Sequence, residues 1–379
     1  MKAQVKSSES SLHGGSTPSR AEITKSLDDG LFELIGEHRH EQVSIWHDPD
    51  AGYRGIIAIH NTTLGPALGG TRMWTYENDL EALIDVLRLS RGMTYKAAVA
   101  GLNLGGGKSV IVGDPNETDR GPIFRAHGRH VQSLSGRYIT AEDVGTSTSD
   151  MEFIREETEY VVGLAGRSGD PSPMTALGVY RGMKACAQVA YGSDSLAGKT
   201  VTVQGCGHVG YYLCKHLYEE GAKLVVSDID DRKVKQVVDE FRATGVAPDD
   251  IYAVDADIFA PCALGAVVND DSITLLKVDI VAGAANNQLD EERHGDALHE
   301  RGIIYAPDYA INAGGLINVN AEVEGWDLER SRQKASEIYA TILRVLQIAS
   351  DAGIPSYRAA DRLAGERIAE AAAAKQGVA

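Results

Sequence analysis

The stretch KTVTVQGCGHVG, from Lys199 to Gly210, decides the fold of this chain. Its first part, 199–203, is rich in β-branched residues and predicts a strand, and the glycine run that follows predicts the start of a helix ending near Gly221. A second predicted strand, 223–227, comes next. A strand, a tight glycine turn, a helix and another strand form the repeating unit of a parallel sheet covered by helices.

Further apolar runs continue this alternation towards the C-terminus. The runs 279–281 and 303–305 predict two more strands, and the tail from about Ser331 is helical in pattern with a break at 353–355. We therefore expect an α/β protein whose second half holds a doubly wound parallel sheet of the Rossmann type.

Each glycine of the turn has its own physical purpose. Gly205 permits the tight turn, Gly207 lets the backbone approach a pyrophosphate, and Gly210 lets the helix pack close to the strand. The helix N-terminus, at His208 and Val209, presents free N–H groups and a partial positive charge to phosphates. The pattern predicts a dinucleotide site, although a turn without a ligand and another Rossmann ligand, such as a methyl donor, fit the same glycines.

Asp228 adds a preference among dinucleotides. It lies 18 positions after the third glycine, at the end of the second predicted strand. A carboxylate there accepts hydrogen bonds from the adenosine ribose hydroxyls and repels a 2′-phosphate. The cofactor that we expect is therefore NAD rather than NADP.

Length and composition limit the possible partners. With 379 residues, of which 43% are hydrophobic and 24% charged, the chain is expected to form a soluble protein of two domains. The formal net charge of −17 argues against a nucleic-acid partner or an anionic membrane surface. No run reaches the ~18 consecutive apolar residues of a membrane helix.

The N-terminal segment and the cysteines favour a cytoplasmic location. Residues 1–27 are Ser-rich and polar, without an apolar core, and we interpret them as a disordered extension rather than a secretory signal. The four cysteines show no C-x-x-C spacing, which is typical of buried or incidental thiols in a reducing compartment. We expect no metal site.

The N-terminal half combines strands with one long helix. The run 55–60 predicts a buried strand, 64–71 a glycine- and proline-rich turn, and the following leucines recur at helical spacing behind a candidate N-cap, Asn78. A strand at 109–112 follows a glycine-rich break, and 137–140 leads into a polar turn.

These patterns suggest a division into two domains around a cleft. We expect a substrate domain over 28–168, completed by the helices of 345–379, and a dinucleotide domain over 169–344. The boundary near 168–171 is a polar stretch with Gly and Pro, as linkers often are.

Two lysines flank the glycine-rich break of the first domain. Lys96 ends the segment RGMTYK, and Lys108 follows three glycines twelve residues later. The second element is not a P-loop, which needs a glycine six positions before the lysine, where Leu102 stands, and a preceding strand rather than a helix. A lysine desolvated beside a second cation loses its proton more easily and can act as a base near neutral pH.

Six ordered motifs carry a resemblance to a known family. They are 65–72 (GPALGGTR), 93–96 (MTYK), 104–108 (LGGGK), 140–146 (TAEDVGT), 170–176 (DPSPMTA) and 311–315 (INAGG). From about residue 40 to 370, the chain resembles the Glu/Leu/Phe/Val dehydrogenase family. The resemblance implies an NAD-dependent oxidative deamination of an L-amino acid to a 2-oxo acid and ammonium.

The resemblance also implies roles for individual residues. Lys96 would bind the substrate α-carboxylate, helped by the backbone around Gly69 and Gly70. Lys108 would be the general base that activates water, and Asp143 would relay a proton to and from the substrate nitrogen. Without the family, an Asx-type turn before Gly145 is the alternative for Asp143.

The remaining assignments complete the two binding sites. Thr175 and Asn286 would contact the nicotinamide end, and Asn312 would close on the cofactor or substrate from the other side of the cleft. Ala141 is a further expected substrate contact and Ala284 a further cofactor contact. Asn312 alone also fits an αL turn.

The substrate side chain is inferred from Leu68, which resembles the pocket position of members that act on leucine. An apolar lining of that size suits leucine, valine and isoleucine, because one methylene changes binding by only ~1–3 kcal/mol. Phenylalanine remains an alternative, as does a non-catalytic NAD-binding regulatory protein on the same fold. The resemblance implies a homo-oligomer, often an octamer.

Two positions depart from the family pattern. His208 stands where Asn is more frequent and is expected to change NAD affinity modestly, and Ala97 stands where Asn is common and affects local packing.

Overall fold

The structure is a computed structural model that describes residues 30–37, 39–164, 169–263 and 265–377. The predicted extension, 1–27, lies outside the described residues, as does the first residue of the predicted boundary at 168–171. No helix of the described chain is long and apolar enough to cross a membrane.

The described residues form two β-sheets surrounded by helices. The strands are β1 (Gln42–Asp48), β2 (Tyr53–Asn61), β3 (Ala67–Trp74), β4 (Gly105–Val112), β5 (Tyr138–Glu142), β6 (Thr200–Gln204), β7 (Lys223–Ser227), β8 (Thr244–Gly245), β9 (Ile258–Pro261), β10 (Ile280–Val281) and β11 (Ile304–Tyr305). The helices are α1 (Leu31–Glu37), α2 (Asp79–Val99), α3 (Gly121–Ser133), α4 (Thr148–Arg155), α5 (Ser172–Tyr191), α6 (His208–Glu220), α7 (Asp231–Phe241), α8 (Asp270–Leu275), α9 (Glu292–Glu300), α10 (Asp308–Ile311), α11 (Gly314–Glu324), α12 (Leu328–Ser336), α13 (Ile338–Ala352) and α14 (Ser356–Gln376).

The first sheet is mixed and has the strand order β1-β2-β4-β3-β5. The pairs β1–β2 and β2–β4 are antiparallel, whereas β4, β3 and β5 run parallel. Helices cover both faces, so that along β2 Ile56 and Ala58 pack with α2 while Ile57 and Ile59 pack with α3. Burial on both faces explains why the predicted strand at 55–60 is apolar throughout rather than alternating.

The second sheet is parallel, in the order β11-β10-β9-β6-β7-β8. Strand β7 has the predicted bounds, and α6 ends one residue before Gly221, whose φ of 89° closes the helix in the left-handed conformation. The predicted α/β class, with a Rossmann-type doubly wound sheet, is confirmed.

The segment 64–71 is mainly a strand, so the turn predicted there is wrong. Strand β3 begins at Ala67 and pairs with β4 on one side and β5 on the other. The glycines are needed because a Cβ at Gly69 would lie 1.7 Å from the carbonyl oxygen of Gly107. The predicted break before residue 109 is also shorter than expected, because its last glycines belong to β4, which begins at Gly105.

The C-terminal helices lie where the two sheets meet. The predicted break is confirmed, because α13 ends at Ala352 and Gly353 adopts a φ of 63°. Helix α14 packs against α13 and α2. From α14, Arg367 donates hydrogen bonds to the carbonyls of Ala97 and Ala98 at the end of α2, over distances of 3.2 and 2.9 Å. The division into 28–168, 169–344 and 345–379 stays a prediction.

Candidate active site

Lys96 and Lys108 come from two consecutive elements, the helix α2 and the strand β4. Asn78 accepts a hydrogen bond from the Glu81 amide and begins α2, whose last turn carries Lys96. The chain then turns at Gly101, with a φ of 70°, and enters β4. Lys108 lies within β4 opposite Ala58 and is only 6% exposed, since α2 packs along this strand.

Lys108 forms an ion pair with Asp143, which follows β5. Its Nζ lies 2.6 Å from Asp143 Oδ2, and Arg72 Nε lies 3.4 Å from the same oxygen. Burial opposes ionisation of the Asp143 carboxyl, but the two cations outweigh it and lower the pKa. The Asp143 amide also donates to Thr146 Oγ1, so the residue begins a turn as well as facing the lysine.

Lys96 extends to the loop that follows β10 of the second sheet, and we call the face of the first sheet on this side the cleft side. Its Nζ donates to Asn286 Oδ1 at 3.3 Å, in the loop after β10. Desolvation lowers the pKa of Lys96, Asp308 and Asp143 partly offset this effect, the charge of Lys108 adds to it, and the resulting pKa is about 8. This ammonium therefore loses its proton within the range of enzyme assays.

Hydrogen bonds connect the loop 284–288, which Lys96 contacts, to helix α10 and the residue that follows it. Asn312 Nδ2 donates to the Ala284 carbonyl at 3.0 Å and to Asn286 Oδ1 at 2.8 Å. Asp308 accepts from the Gln288 amide at 3.0 Å. Asn312 has a φ of −92°, so the αL alternative for it is wrong. Its Oδ1 is buried and without a hydrogen-bond partner in the described chain, which leaves an acceptor for a ligand.

The ladder between β3 and β4 is interrupted beside Lys108. Leu68 pairs with Gly106 and Thr71 with Ser109, but the two pairs between them are missing. In a parallel ladder those two pairs share one hydrogen bond, from the Gly70 amide to the Gly107 carbonyl, so this bond is the one that is lost. We call this interruption of the ladder, formed by Gly69, Gly70 and Gly107, the glycine seam.

Apolar residues lie next to the seam. Leu68 is 2% exposed and Ala141 7%, and both belong to one hydrophobic cluster that continues into the second sheet. Ala141 pairs with Gly70 on the β5 side. The two expected substrate contacts are thus adjacent to the seam.

The glycine turn of the second sheet has the geometry that its sequence predicts. Gly205 has a φ of 103°, and a Cβ at Gly210 would lie 1.9 Å from the Gly205 carbonyl oxygen. A Cβ at Gly207 would meet nothing within 4 Å, so the backbone is open towards solvent there. Asp228 Oδ2 accepts from the Cys206 amide at 2.7 Å, which fixes the carboxylate beside the turn. This arrangement fits a dinucleotide.

Two of the remaining cofactor candidates adjoin this turn, and the third, Thr175, lies beside Gly314 and Gly315. His208 and Val209 are the first residues of α6, and His208 is exposed, with its Nδ1 3.9 Å from Asp170 Oδ2. Thr175 lies in the first turn of α5 and donates its hydroxyl to the Pro171 carbonyl at 2.9 Å.

Sequence reasoning missed two charged groups. Arg72 was the last residue of a quoted motif, but nothing in the sequence connected it to Asp143 and Asp85. Asp308 gave no signal, because its influence on Lys96 depends on the approach of the two sheets.

The comparisons with known proteins agree with this geometry. The family model described as Glu/Leu/Phe/Val dehydrogenase, dimerisation domain, matches residues 40–160. The model described as Glutamate/Leucine/Phenylalanine/Valine dehydrogenase matches residues 166–230 and 226–377. The fold and the site are those of an amino-acid dehydrogenase with two β-sheets. The chain belongs to the Glu/Leu/Phe/Val dehydrogenase family.

Individual relatives cover nearly the whole chain. A leucine dehydrogenase of Bacillus subtilis is 60% identical over 341 residues, which are 89% of this chain and 94% of the relative. An L-tryptophan dehydrogenase of Nostoc punctiforme is 50% identical over 340 residues, 89% of this chain and 96% of that one. The crystal structure of L-tryptophan dehydrogenase from Nostoc punctiforme superposes with a TM-score of 0.83 at 48% identity, covering 90% of this chain and 99% of that one.

Proposed function

We propose that this protein catalyses the reversible, NAD-dependent oxidative deamination of branched-chain aliphatic L-amino acids. Leucine, valine and isoleucine would give 2-oxo acids and ammonium. The observation that carries the proposal is the ion pair between the buried Lys108 and the partly exposed Asp143, together with a second lysine, Lys96. The identity of 60% to a leucine dehydrogenase supports the same reaction.

The substrate carboxylate is held by a cation and an amide. The protonated Lys96 attracts the carboxylate, and the Gly70 amide, freed from the β4 ladder, donates to it. This placement directs the α-carbon and its nitrogen towards Lys108 and Asp143. NAD, when bound, supplies the hydride acceptor.

Proton transfers are assigned to the ion pair. Asp143 accepts a proton from the substrate ammonium, because an amine must be neutral before the α-carbon releases hydride. Lys108 is the general base for the water that attacks the resulting imino acid. The nitrogen then takes a proton back through Asp143 and leaves. In sum, amino acid, water and NAD⁺ give 2-oxo acid, ammonium, NADH and a proton.

The choice of NAD over NADP rests on Asp228. Its carboxylate is held beside the glycine turn by the Cys206 amide, where it repels a 2′-phosphate. Near the nicotinamide, the unpartnered Oδ1 of Asn312 offers an acceptor for the carboxamide. Thr175, Ala284 and Asn286 would complete that end.

An aromatic substrate is the second candidate, because relatives named for tryptophan and phenylalanine are 50% and 49% identical. The buried Leu68 favours the aliphatic side chain, since its bulk narrows the space next to the seam. We also expect a homo-oligomer. Strand β1 is a sheet edge with Ile45 63% exposed, and the N-terminal family model is described as a dimerisation domain.

Initial rates of NADH formation test the proposal. The purified protein is given leucine, valine, isoleucine, phenylalanine, tryptophan or glutamate with NAD or NADP, and we expect the highest kcat/KM for a branched-chain substrate with NAD. A protein that binds NADH but turns over none of these substrates would be a binding protein, and the proposal would fail.

Replacement of Lys108 separates catalysis from binding. Lys108→Ala removes the general base, so kcat is expected to fall about 10²- to 10⁴-fold while the Kd for NADH stays within about twofold. Lys235→Ala is the matched control, because Lys235 pairs with Asp239 on the exposed surface of α7. Turnover by Lys108→Ala equal to that of the control would exclude Lys108 as the base.

A further inference from the structure

Tyr138 lies directly behind the glycine seam. It is fully buried at the start of β5, and its ring fills the space of a Gly107 side chain, since a Cβ at Gly107 would lie 2.7 Å from Tyr138 Cδ2. Its hydroxyl donates to the Gly69 carbonyl at 2.7 Å and contacts Ser109 Oγ at 3.1 Å. The side chain thus connects β5 to β3 and β4 at the point where the ladder between β3 and β4 is interrupted.

Further hydroxyls join the three parallel strands on this face of the sheet. Thr71 Oγ1 lies 2.7 Å from Ser109 Oγ, 2.5 Å from Thr140 Oγ1 and 2.9 Å from His127 Nε2. Side chains alternate along a strand, so Ser109 faces this cluster while Lys108 faces the cleft. Burial lowers the pKa of His127 well below its usual value, and the imidazole therefore stays neutral and serves as a hydrogen-bond partner.

The peptide between Gly69 and Gly70 transmits the contact to the cleft side. A trans peptide is planar, and its carbonyl and amide point in opposite directions. Because the Tyr138 hydroxyl holds the Gly69 carbonyl on the β5 side, the Gly70 amide is directed into the seam. The β3–β5 pairs Gly69–Thr140 and Gly70–Ala141 also place the Ala141 amide on the Gly69 carbonyl, so the Tyr138 hydroxyl is a second donor, which draws this carbonyl towards the buried face of the sheet. With the backbone donor alone, we expect the Gly70 amide to return to its ladder bond with the Gly107 carbonyl.

We propose that Tyr138 is a positioning residue that keeps the glycine seam open, so that the Gly70 amide is available to the substrate carboxylate. The proposal rests on the deamination proposed above, because it needs a carboxylate substrate at Lys96. Burial raises the pKa of Tyr138 to about 12, so the phenol remains a donor throughout the working range of pH.

Two competitive inhibitors test this role in Tyr138→Phe. The first, 4-methylpentanoate, has the side chain and carboxylate of leucine, and the second, 3-methylbutylamine, has its side chain and amine. We expect the KM for leucine and the Ki of the carboxylate to rise about tenfold, the magnitude of one hydrogen bond to a charged group. The Ki of the amine, kcat and the Kd for NADH are expected to stay within about twofold to threefold.

Tyr160→Phe is the matched control. Tyr160 packs against the same hydrophobic cluster as Tyr138, and among the described residues its hydroxyl has no hydrogen-bond partner. We expect its kinetic constants to equal those of the unchanged protein. If Tyr138→Phe weakens both inhibitors equally, or neither of them, the positioning role is overturned.

If Tyr138→Phe does not fold, Ser109→Ala tests the positioning role of Tyr138 instead. Ser109 Oγ lies 3.1 Å from the Tyr138 oxygen and helps to hold the hydroxyl that donates to the Gly69 carbonyl. We expect the same selective weakening of 4-methylpentanoate, about threefold, and unchanged inhibition overturns the role. If the protein without any substitution oxidises none of the amino acids, the proposed function itself is refuted.

Discussion

The two glycine clusters of this protein look alike in sequence but differ in structure. In the second sheet, Gly205, Gly207 and Gly210 form a strand-to-helix turn, with one positive φ and an open face towards solvent. In the first sheet, Gly69 and Gly107 lie inside strands and bring two backbones close together. In the second sheet, glycine is needed for a backbone conformation that other residues rarely adopt. In the first sheet, glycine is needed because any side chain would collide with the neighbouring backbone.

The largest expected effect comes from filling that space. Gly69→Ala would place a Cβ 1.7 Å from the Gly107 carbonyl oxygen, a backbone atom that cannot move without breaking the sheet. We expect a loss of at least about 3 kcal/mol in the free energy of unfolding, measured by chemical denaturation, or a failure to fold.

Gly92→Ala is the control for this substitution. Gly92 is exposed on α2, and a Cβ there would meet nothing within 4 Å, so alanine is expected to stabilise the helix slightly. An unchanged unfolding midpoint for Gly69→Ala would show that the close approach of β3 and β4 is incorrect.

The second prediction concerns the pH dependence of ligand binding. It compares a carboxylate inhibitor, which binds beside the glycines of the first sheet, with NADH, which binds at the glycine turn of the second. Lys96 binds the carboxylate only while it is protonated, and its pKa is lowered to about 8. The Ki of 4-methylpentanoate should therefore be constant below about pH 8 and rise up to about tenfold per unit above it, while the Kd for NADH does not follow this profile.

Lys96→Arg is the control for the pH profile, because a guanidinium stays charged throughout this range. Its inhibition profile is expected to be flat between about pH 7 and 10, even if the inhibitor binds more weakly overall. Coinciding profiles for the two proteins would show that another group titrates.

The smallest effect is expected at the glycine turn. Gly207→Ala meets no atom within 4 Å, and the φ of −66° suits alanine, so stability should be unchanged within about 0.5 kcal/mol. The methyl group would occupy the approach of the pyrophosphate, and we expect the Kd for NADH to rise about fivefold in a fluorescence titration, with the Ki of 4-methylpentanoate unaffected. Unchanged NADH affinity would contradict the placement of the phosphates.

Local patterns predicted the second sheet better than the first. Strand β7, the end of α6 and the break at Gly353 follow from β-branched runs and from glycines at helix ends. The segment 64–71 was misassigned because glycine and proline usually mark turns, and a strand of glycines differs from a turn only through its partners.

In the candidate site, too, some features could be predicted from local sequence patterns and others could not. Its residue types came from motifs, and Lys108 and Asp143 could be proposed together although 35 positions separate them. The contribution of Arg72 to Asp143, the contact of Lys96 with Asn286 and the connection of Tyr138 to Gly69 could not be found in this way. Each depends on strand order and register, which join residues distant in the chain.

The sequence by itself determined the α/β class, the dinucleotide turn ending in Asp228 and the family of the chain, because these follow from local periodicity and ordered motifs. Only the tertiary structure decided that the glycines of the first sheet open a ladder, and that Lys96 titrates near pH 8. Hydrogen-bond register, desolvation and the distances between charges are properties of packed elements, and no single stretch of sequence contains them.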